Sequence, residues 1–257
     1  MIKIIFLGTN GWYDTKTGNT VSILIQNQKY DIILDAGNGF AKIGKYISFN
    51  KPAYLFLSHY HLDHIIGLHT LNKFYFKKGL HIIGPTGLKK MLNTIIRKPY
   101  TFLFSKLPYP TKVSEISEGS YKSPVPFECR ELVHPVTTYG YRFELSSESR
   151  EGKIGSKTIT YCTDTGYCDN AIKLAQTSDL LIAECAYKRG MAVSEWPHLN
   201  PDDAAKLAKV SNTKKLILTH FDADLYKTIP ERKKAESYAK EIFADTITAL
   251  DGLKITL

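Results

Sequence analysis

Short apolar runs separated by polar, glycine-bearing loops dominate the first third of the chain. Residues 2–7, 21–25 and 30–34 are β-rich runs, and the loop from Gly8 to Asn19 is rich in Gly, Asn, Asp and Thr. The turn sequence Asp35-Ala-Gly-Asn-Gly closes the third run. The pattern then predicts a helix over 40–48, a strand over 54–57, a helix over 66–74, a strand over 80–83 and a helix over 88–96. Residues 97–125 interleave Lys, Tyr, Phe and Pro and resist assignment. From Phe127 the β pattern returns at 127–133, 141–145 and 158–162, with a polar hairpin around 146–156, followed by alternating short helices and strands. Asn200 is a good helix N-cap, with Pro201 at the first helical position and Asp202 and Asp203 in the first turn. That helix runs to about residue 209 and precedes a strand at 215–219; a basic amphipathic helix at 231–243 and a strand at 253–257 finish the chain. Strands outnumber helices, and no repeat or low-complexity linker divides them. The expectation is one α+β domain over 1–257, built as a layered sandwich of mixed sheets with helices outside.

Composition narrows this little. The 257 residues suffice for one large domain with a sizeable core, and no apolar run approaches the 18 or more residues of a membrane span. The start, Met1-Ile-Lys-Ile-Ile-Phe-Leu-Gly, reads as a first strand and not as a signal peptide, so a cytoplasmic protein with no membrane association is expected. Cys129, Cys162, Cys168 and Cys185 show no CxxC spacing and are too sparse for a disulfide scaffold. A formal charge of +9 favours anionic partners, small phosphate esters or nucleic acid.

Chemistry enters at Leu57-Ser-His-Tyr-His-Leu-Asp-His64. Three histidines and an aspartate fall within six residues, directly after the predicted strand at 54–57. Such groups repel one another when protonated, but neutral imidazoles and a carboxylate are good ligands for zinc, iron or manganese. In an extended segment, positions i and i+2 face one side, so His59 and His61 can reach one ion. Asp63 and His64 lie past the turn and suit a second ion nearby. His134, Asp164 and His220 also stand where predicted strands stop, either as caps or as further ligands along one sheet edge. His69 and His81 lack this setting and read as surface or packing residues.

The series His59-x-His61-x-Asp63-His64, preceded by Asp35 and followed by His134, Asp164 and His220, resembles the signature of the metallo-β-lactamase fold over essentially the whole chain. The resemblance implies a four-layer αββα sandwich with two divalent metal ions at the sheet edge, zinc first, with manganese or iron as alternatives. It assigns His59, His61 and His134 to one metal and Asp63, His64 and His220 to the other. Asp164 would bridge them, and Asp35 would orient the ligand loop. Within that fold the chain is most similar to ribonuclease Z and its phosphodiesterase relatives, through His134-Pro-Val-Thr-Thr-Tyr-Gly-Tyr-Arg, Ile83-Gly-Pro-x-Gly-Leu and Leu218-Thr-His-Phe. His198 lies 22 residues before His220, the spacing of that group's catalytic histidine that binds no metal. A homodimer is implied by the same resemblance.

Two departures qualify the likeness. Only 29 residues separate His134 from Asp164, which leaves no room for the long arm with which the common bacterial ribonuclease Z grips tRNA. The group's His-Glu-Ala-Thr motif reads Ala183-Glu184-Cys185-Ala186 here, so Glu184 is kept without its histidine. The expected reaction is metal-assisted hydrolysis of an anionic substrate, a phosphodiester before all, by a water bridging the metals. Asp63 would orient that water or receive its proton, and His198 would contact a non-bridging oxygen or protonate the leaving group. Cleavage of tRNA 3′ ends is the alternative. Hydrolysis of lactones, thioesters, sulfate esters or β-lactams, and iron-dependent oxidation on the same fold, are further ones. The stretch Arg97-Lys-Pro-Tyr-Thr-Phe-Leu-Phe-Ser-Lys could stack bases or bind phosphates, but packing of its apolar residues onto the body is the favoured reading. Lys233 and Lys234 read as a solvated helix face.

Overall fold

A computed structural model describes residues 1–148 and 154–257. Its strands form two seven-stranded sheets. The first has the spatial order Lys254–Thr256, Lys3–Gly8, Ser22–Gln26, Asp31–Leu34, Ala53–Phe56, Leu80–Pro85 and Thr111–Ile116. The second has the order Thr246–Thr248, Leu216–Thr219, Leu180–Glu184, Ile154–Cys162, Tyr139–Glu148, Phe127–Glu131 and Gly119–Tyr121. Both are mixed: three parallel pairings join the last four strands of the first sheet, and three more join the first four of the second.

Side-chain alternation explains the stacking. Along Lys3–Gly8, Ile4 and Phe6 point into an apolar layer shared with Phe56, Phe127, Tyr141 and Phe143, whereas Ile5 and Leu7 point the other way. Along Leu180–Glu184 of the second sheet, Ile182 enters the shared layer and Leu181 and Ala183 face outward. The outer faces are covered by the helices Asn38–Lys45, Ile66–Lys73 and Leu88–Ile95 on one side, and by Asp169–Ala175, Pro201–Val210 and Ile229–Lys240 on the other. Three apolar layers between four structural layers make the αββα sandwich. Strands buried on both faces read as continuous apolar runs, which is why these were legible in the sequence.

Several boundaries differ from expectation. The helix predicted at 66–74 is preceded by a short α-helix, Leu62–Ile65, and is itself a 3-10 helix, Ile66–Lys73. The arms of the polar hairpin extend further than predicted, to Glu148 and from Ile154, and its tip lies outside the described residues. The illegible segment supplies an edge strand to each sheet, Thr111–Ile116 and Gly119–Tyr121, while Phe102, Phe104 and Leu107 pack against the helix-side core. Phe102 and Phe104 of that basic, aromatic stretch thus pack on the body, while Tyr100 stays exposed. Asn200 caps its helix as expected: its Oδ1 accepts from the amides of Asp202 (3.0 Å) and Asp203 (3.1 Å). No helix among the described residues is long and apolar enough to cross a membrane.

Candidate metal centre

Asp35, His59, Asp164 and His220 all lie just beyond the carboxyl end of a strand, and the two sheets bring those ends together at one edge of the sandwich. Three of the four turn sharply there: Asp35, Asp164 and His220 have φ of 54°, 47° and 52°. Non-glycine residues in this left-handed region are uncommon and cluster at functional sites. Close packing fixes the loops around them. A Cβ at Gly11 would lie 2.6 Å from Cε1 of His220, and one at Gly37 would lie 2.3 Å from the carbonyl of Asp63. Only glycine allows those approaches.

Six of the chain's eight histidines gather at this edge. His61, extended at φ −63° and ψ 149°, begins the short helix Leu62–Ile65, so Asp63 and His64 sit on its first turn. His59 Nε2 is 2.9 Å from His61 Nδ1, which is 3.3 Å from His134 Nε2. Asp164 Oδ2 lies 3.8 Å from both His59 Nε2 and His134 Nε2. Beside this group stands another: His64 Nε2 is 3.0 Å from His220 Nε2, and Asp63 Oδ2 is 3.2 Å from His220 Nε2 and 3.5 Å from His64 Nε2. Asp164 faces it with its other oxygen, Oδ1 being 3.1 Å from His64 Nε2 and 3.2 Å from His220 Nε2. Within each group the donor atoms lie within 4.8 Å of one another, so each could hold a metal ion. Two imidazole nitrogens 3 Å apart can share only one proton between them. Nitrogen and carboxylate lone pairs converging in this way fit divalent cations.

Anchors behind these side chains set their orientation. Asp35 is fully buried; its Oδ1 accepts from the Ser58 amide (2.7 Å), and its Oδ2 accepts from Ser58 Oγ (2.8 Å), Tyr161 Oη (2.8 Å) and His64 Nδ1 (2.9 Å). A His64 that donates from Nδ1 presents Nε2 as its ligand atom. Glu184, also fully buried, plays the equivalent part for His198: its Oε1 accepts from His198 Nδ1 at 2.7 Å and from the Thr165 amide at 2.5 Å, and its Oε2 from the Ala186 amide at 3.2 Å. Nε2 of His198 is left for the site, where its ring stands 5.3 Å from that of His134 and 5.9 Å from that of His220.

Electrostatics divide the histidines. Burial holds His59 well below the ordinary imidazole range, lowers His61 and takes His134 down to about 4, which favours the neutral form of each. Burial also opposes charge on His64 and His220, but Asp164 foremost, with Asp63, outweighs it and raises both. Burial of His198 is likewise overcome, by Glu184, and its pKa rises to about 9. These opposed shifts, produced by desolvation and specific charge partners in one recess, are typical of functional sites.

The profile of the "Beta-lactamase superfamily domain" matches residues 30–221, which contain every one of the histidines and carboxylates just described. The chain belongs to the β-lactamase superfamily. "Ribonuclease Z" of Prochlorococcus marinus (strain MIT 9301) is 27% identical over 279 residues, covering 86% of this chain and 88% of that protein. "Probable metallo-hydrolase YhfI" of Bacillus subtilis (strain 168) is 27% identical over 236 residues, covering 86% and 87%. The crystal structure of YhfI, a metallo-β-lactamase fold protein, superposes with a TM-score of 0.78 at 24% identity, over 99% of this chain and 98% of that one. Family and fold together make this chain a metal-dependent hydrolase.

Every residue named from the sequence as a ligand, catalytic group or anchor is at this edge. His69 and His81 are elsewhere: His69 Nδ1 donates to the Ile66 carbonyl at 2.6 Å, and His81 Nε2 lies 2.8 Å from Ser114 Oγ. Sequence reasoning missed Ser58 and Tyr161, the partners of Asp35. It also missed Trp12, whose amide donates to Asp63 Oδ2 at 2.8 Å, and Trp196, whose ring stacks on His61 at 5.3 Å and 13°. A tryptophan two residues from His198 was the available signal for the last of these.

Proposed function

We propose that the two donor groups hold two divalent cations, zinc in the first place and manganese or iron otherwise, and that the enzyme hydrolyses phosphodiesters. His59, His61 and His134 would bind one cation and Asp63, His64 and His220 the other. The observation that carries this reading is the position of Asp164. One carboxylate oxygen faces the His59 and His134 nitrogens at 3.8 Å, and the other faces those of His64 and His220 at 3.1 and 3.2 Å. A carboxylate shared in this manner suits a pair of close cations, whose charge, when bound, acidifies water and stabilises negative charge on substrate oxygens.

The remaining chemistry belongs to side chains. Asp63 accepts a proton or orients the attacking water, its own position held by the Trp12 amide. His198, kept protonated by Glu184, delivers a proton from Nε2 to the departing oxygen or hydrogen-bonds a non-bridging oxygen. Positive net charge (+9) favours an anionic substrate.

A second reading, tRNA 3′ processing, is favoured by the ribonuclease Z relative. Against it, that relative needs 279 aligned positions where YhfI needs 236 for the same 86% of this chain, so it carries segments without counterpart here. The test is hydrolysis of bis-p-nitrophenyl phosphate by metal-depleted protein with zinc or manganese restored, beside a precursor tRNA. Metal-dependent cleavage of the diester alone supports the proposal. Clean removal of the tRNA trailer would favour the second reading, and inertness toward both with metal bound would sink the phosphodiesterase assignment.

A further inference from the structure

The chain has two tryptophans, and both stand exposed beside the metal centre, Trp12 at 66% and Trp196 at 47%. Large aromatic side chains are highly buried on average, so two exposed ones at a single site call for a cause. Each is attached to a different donor group. Trp196 lies parallel to His61 and edge-on to His134 (5.5 Å), with its backbone carbonyl accepting from Tyr187 Oη at 2.6 Å. One face of its indole therefore covers the first group, and the exposed remainder is open to a ligand. Trp12 stands beside the second group, its amide bound to Asp63.

Backbone conformation adds an independent sign. Trp12 has φ of 71°, a left-handed value that is a true outlier for a bulky side chain. The surroundings hold it there: Tyr13 donates its amide to the Gly11 carbonyl (3.0 Å), and Asn10 Nδ2 donates to the Tyr13 carbonyl (3.0 Å). Asn10–Gly11 is in turn paired with Phe221–Asp222, directly after His220. The fold thus maintains a strained backbone whose result is an exposed indole, edge-on to Tyr13 at 5.1 Å, on a residue whose amide is tied to the second donor group. Strain of this kind persists where the conformation serves a function.

We propose that Trp12 and Trp196 are specificity-determining residues: stacking platforms for a planar aromatic group carried by the substrate next to its scissile phosphate. This deepens the phosphodiesterase reading and rests on it for the identity of the anion. The ring could be a nucleobase, one sugar away from the phosphorus, or an aryl ester attached directly.

Because no other tryptophan is present, fluorescence of the protein as purified, excited at the red edge of the indole band where its 16 tyrosines do not absorb, reports on these two residues alone. Adenosine 5′-monophosphate and phenyl phosphate carry a ring at the two distances, and ribose 5-phosphate carries the anion without one. We expect saturable quenching by at least one ring-bearing probe, with affinity tenfold or more above that of ribose 5-phosphate; which probe responds identifies the ring. In Trp196→Leu and Trp12→Leu the remaining indole still reports, and affinity for that probe should fall about 5- to 150-fold, the range found for base–aromatic stacking. Trp196→Phe, which keeps a ring, should recover most of the loss. Equal affinity for ribose 5-phosphate, or leucine variants that bind the ring-bearing probe as wild type does, would overturn the proposal. Ring-dependent binding without any diester hydrolysis would spare it and remove the phosphodiesterase reading. Hydrolysis without ring dependence would do the reverse.

Discussion

In the proposed mechanism His198 faces the reaction and Asp35 faces away from it. Both are held by an oriented hydrogen bond, His198 by Glu184 at 2.7 Å and Asp35 by its bonds to His64, Ser58 and Tyr161. Replacing them should therefore give different signatures. His198→Ala should lower turnover about 10²- to 10⁴-fold with metal content unchanged, as for the loss of a general acid. Metal analysis beside steady-state kinetics checks this, and loss of metal from the variant would contradict the assignment. Asp35→Asn replaces one acceptor oxygen with an amide that can only donate, against partners that themselves donate. Metal affinity should then fall about 10- to 100-fold, read by competition with a fluorescent chelator. Affinity equal to wild type would mean that Asp35 serves the loop and not the ligand.

Among the elements, the helix Ile229–Lys240 ties the site's supporting loop to the sheet. Thr228 caps it in a reciprocal box with Glu231. From its buried face Arg232 donates to Thr9 Oγ1 (3.0 Å), Asn10 Oδ1 and Thr17 Oγ1 (2.8 Å), anchoring the loop that carries Gly11 and Trp12. One turn further on, Glu236 accepts from Lys233 Nζ (2.8 Å), Lys240 Nζ (2.7 Å) and the Thr248 amide (2.7 Å), which docks the helix on the strand Thr246–Thr248. Burial works against the charged carboxylate, but those donors outweigh it and bring its pKa down to about 2. A depressed folded-state pKa contributes stability above the unfolded value, near 4.3, that is lost as pH falls toward 2. Glu236→Gln should accordingly lower stability at neutral pH and flatten its decline between about pH 4.5 and 2, measured by urea unfolding across that range. A parallel decline in variant and wild type would rule Glu236 out as a contributor.

At the scale of the molecule, both sheets spend their strand ends on one polar edge. Asp35, Asp63, Asp164 and the histidines come from both halves of the chain, so cation binding should clamp the two sheets together. A ligand that binds only the folded state stabilises it by about 4 kcal/mol at a thousand times its dissociation constant. For a chain of this size that is on the order of a 10 °C rise in melting temperature. Calorimetry of metal-depleted protein with zinc restored should show the rise, and a chelator should abolish it. An unchanged melting temperature with metal bound would mean that the edge is rigid without cations.

Local sequence carried a large part of this protein. Alternating and continuous apolar runs mark the strands because burial on one or both faces is written into consecutive residues. Asn200 marks its helix start because a cap needs only its own neighbours. The His59–His64 cluster is legible for the same reason, being compact in sequence; His134, Asp164 and His220 are marked as candidates by their places at strand ends, and the resemblance to a known signature assigned them and added His198. Other features depend on partners far along the chain. The edge strands Thr111–Ile116 and Gly119–Tyr121 form in a stretch with no clear period, because each is completed by a sheet that already exists. Ser58 and Tyr161 become partners of Asp35 only when the two sheets stack. Trp12 and Trp196 stand at the site because a strained loop and a stacked histidine put them there; the closeness of Trp196 to His198 in the chain is a signal for one of them, and nothing in the sequence marks Trp12. Composition and periodicity determine which residues are buried. Contacts between distant segments decide which polar groups meet at the edge, since direction and distance arise only when the layers close.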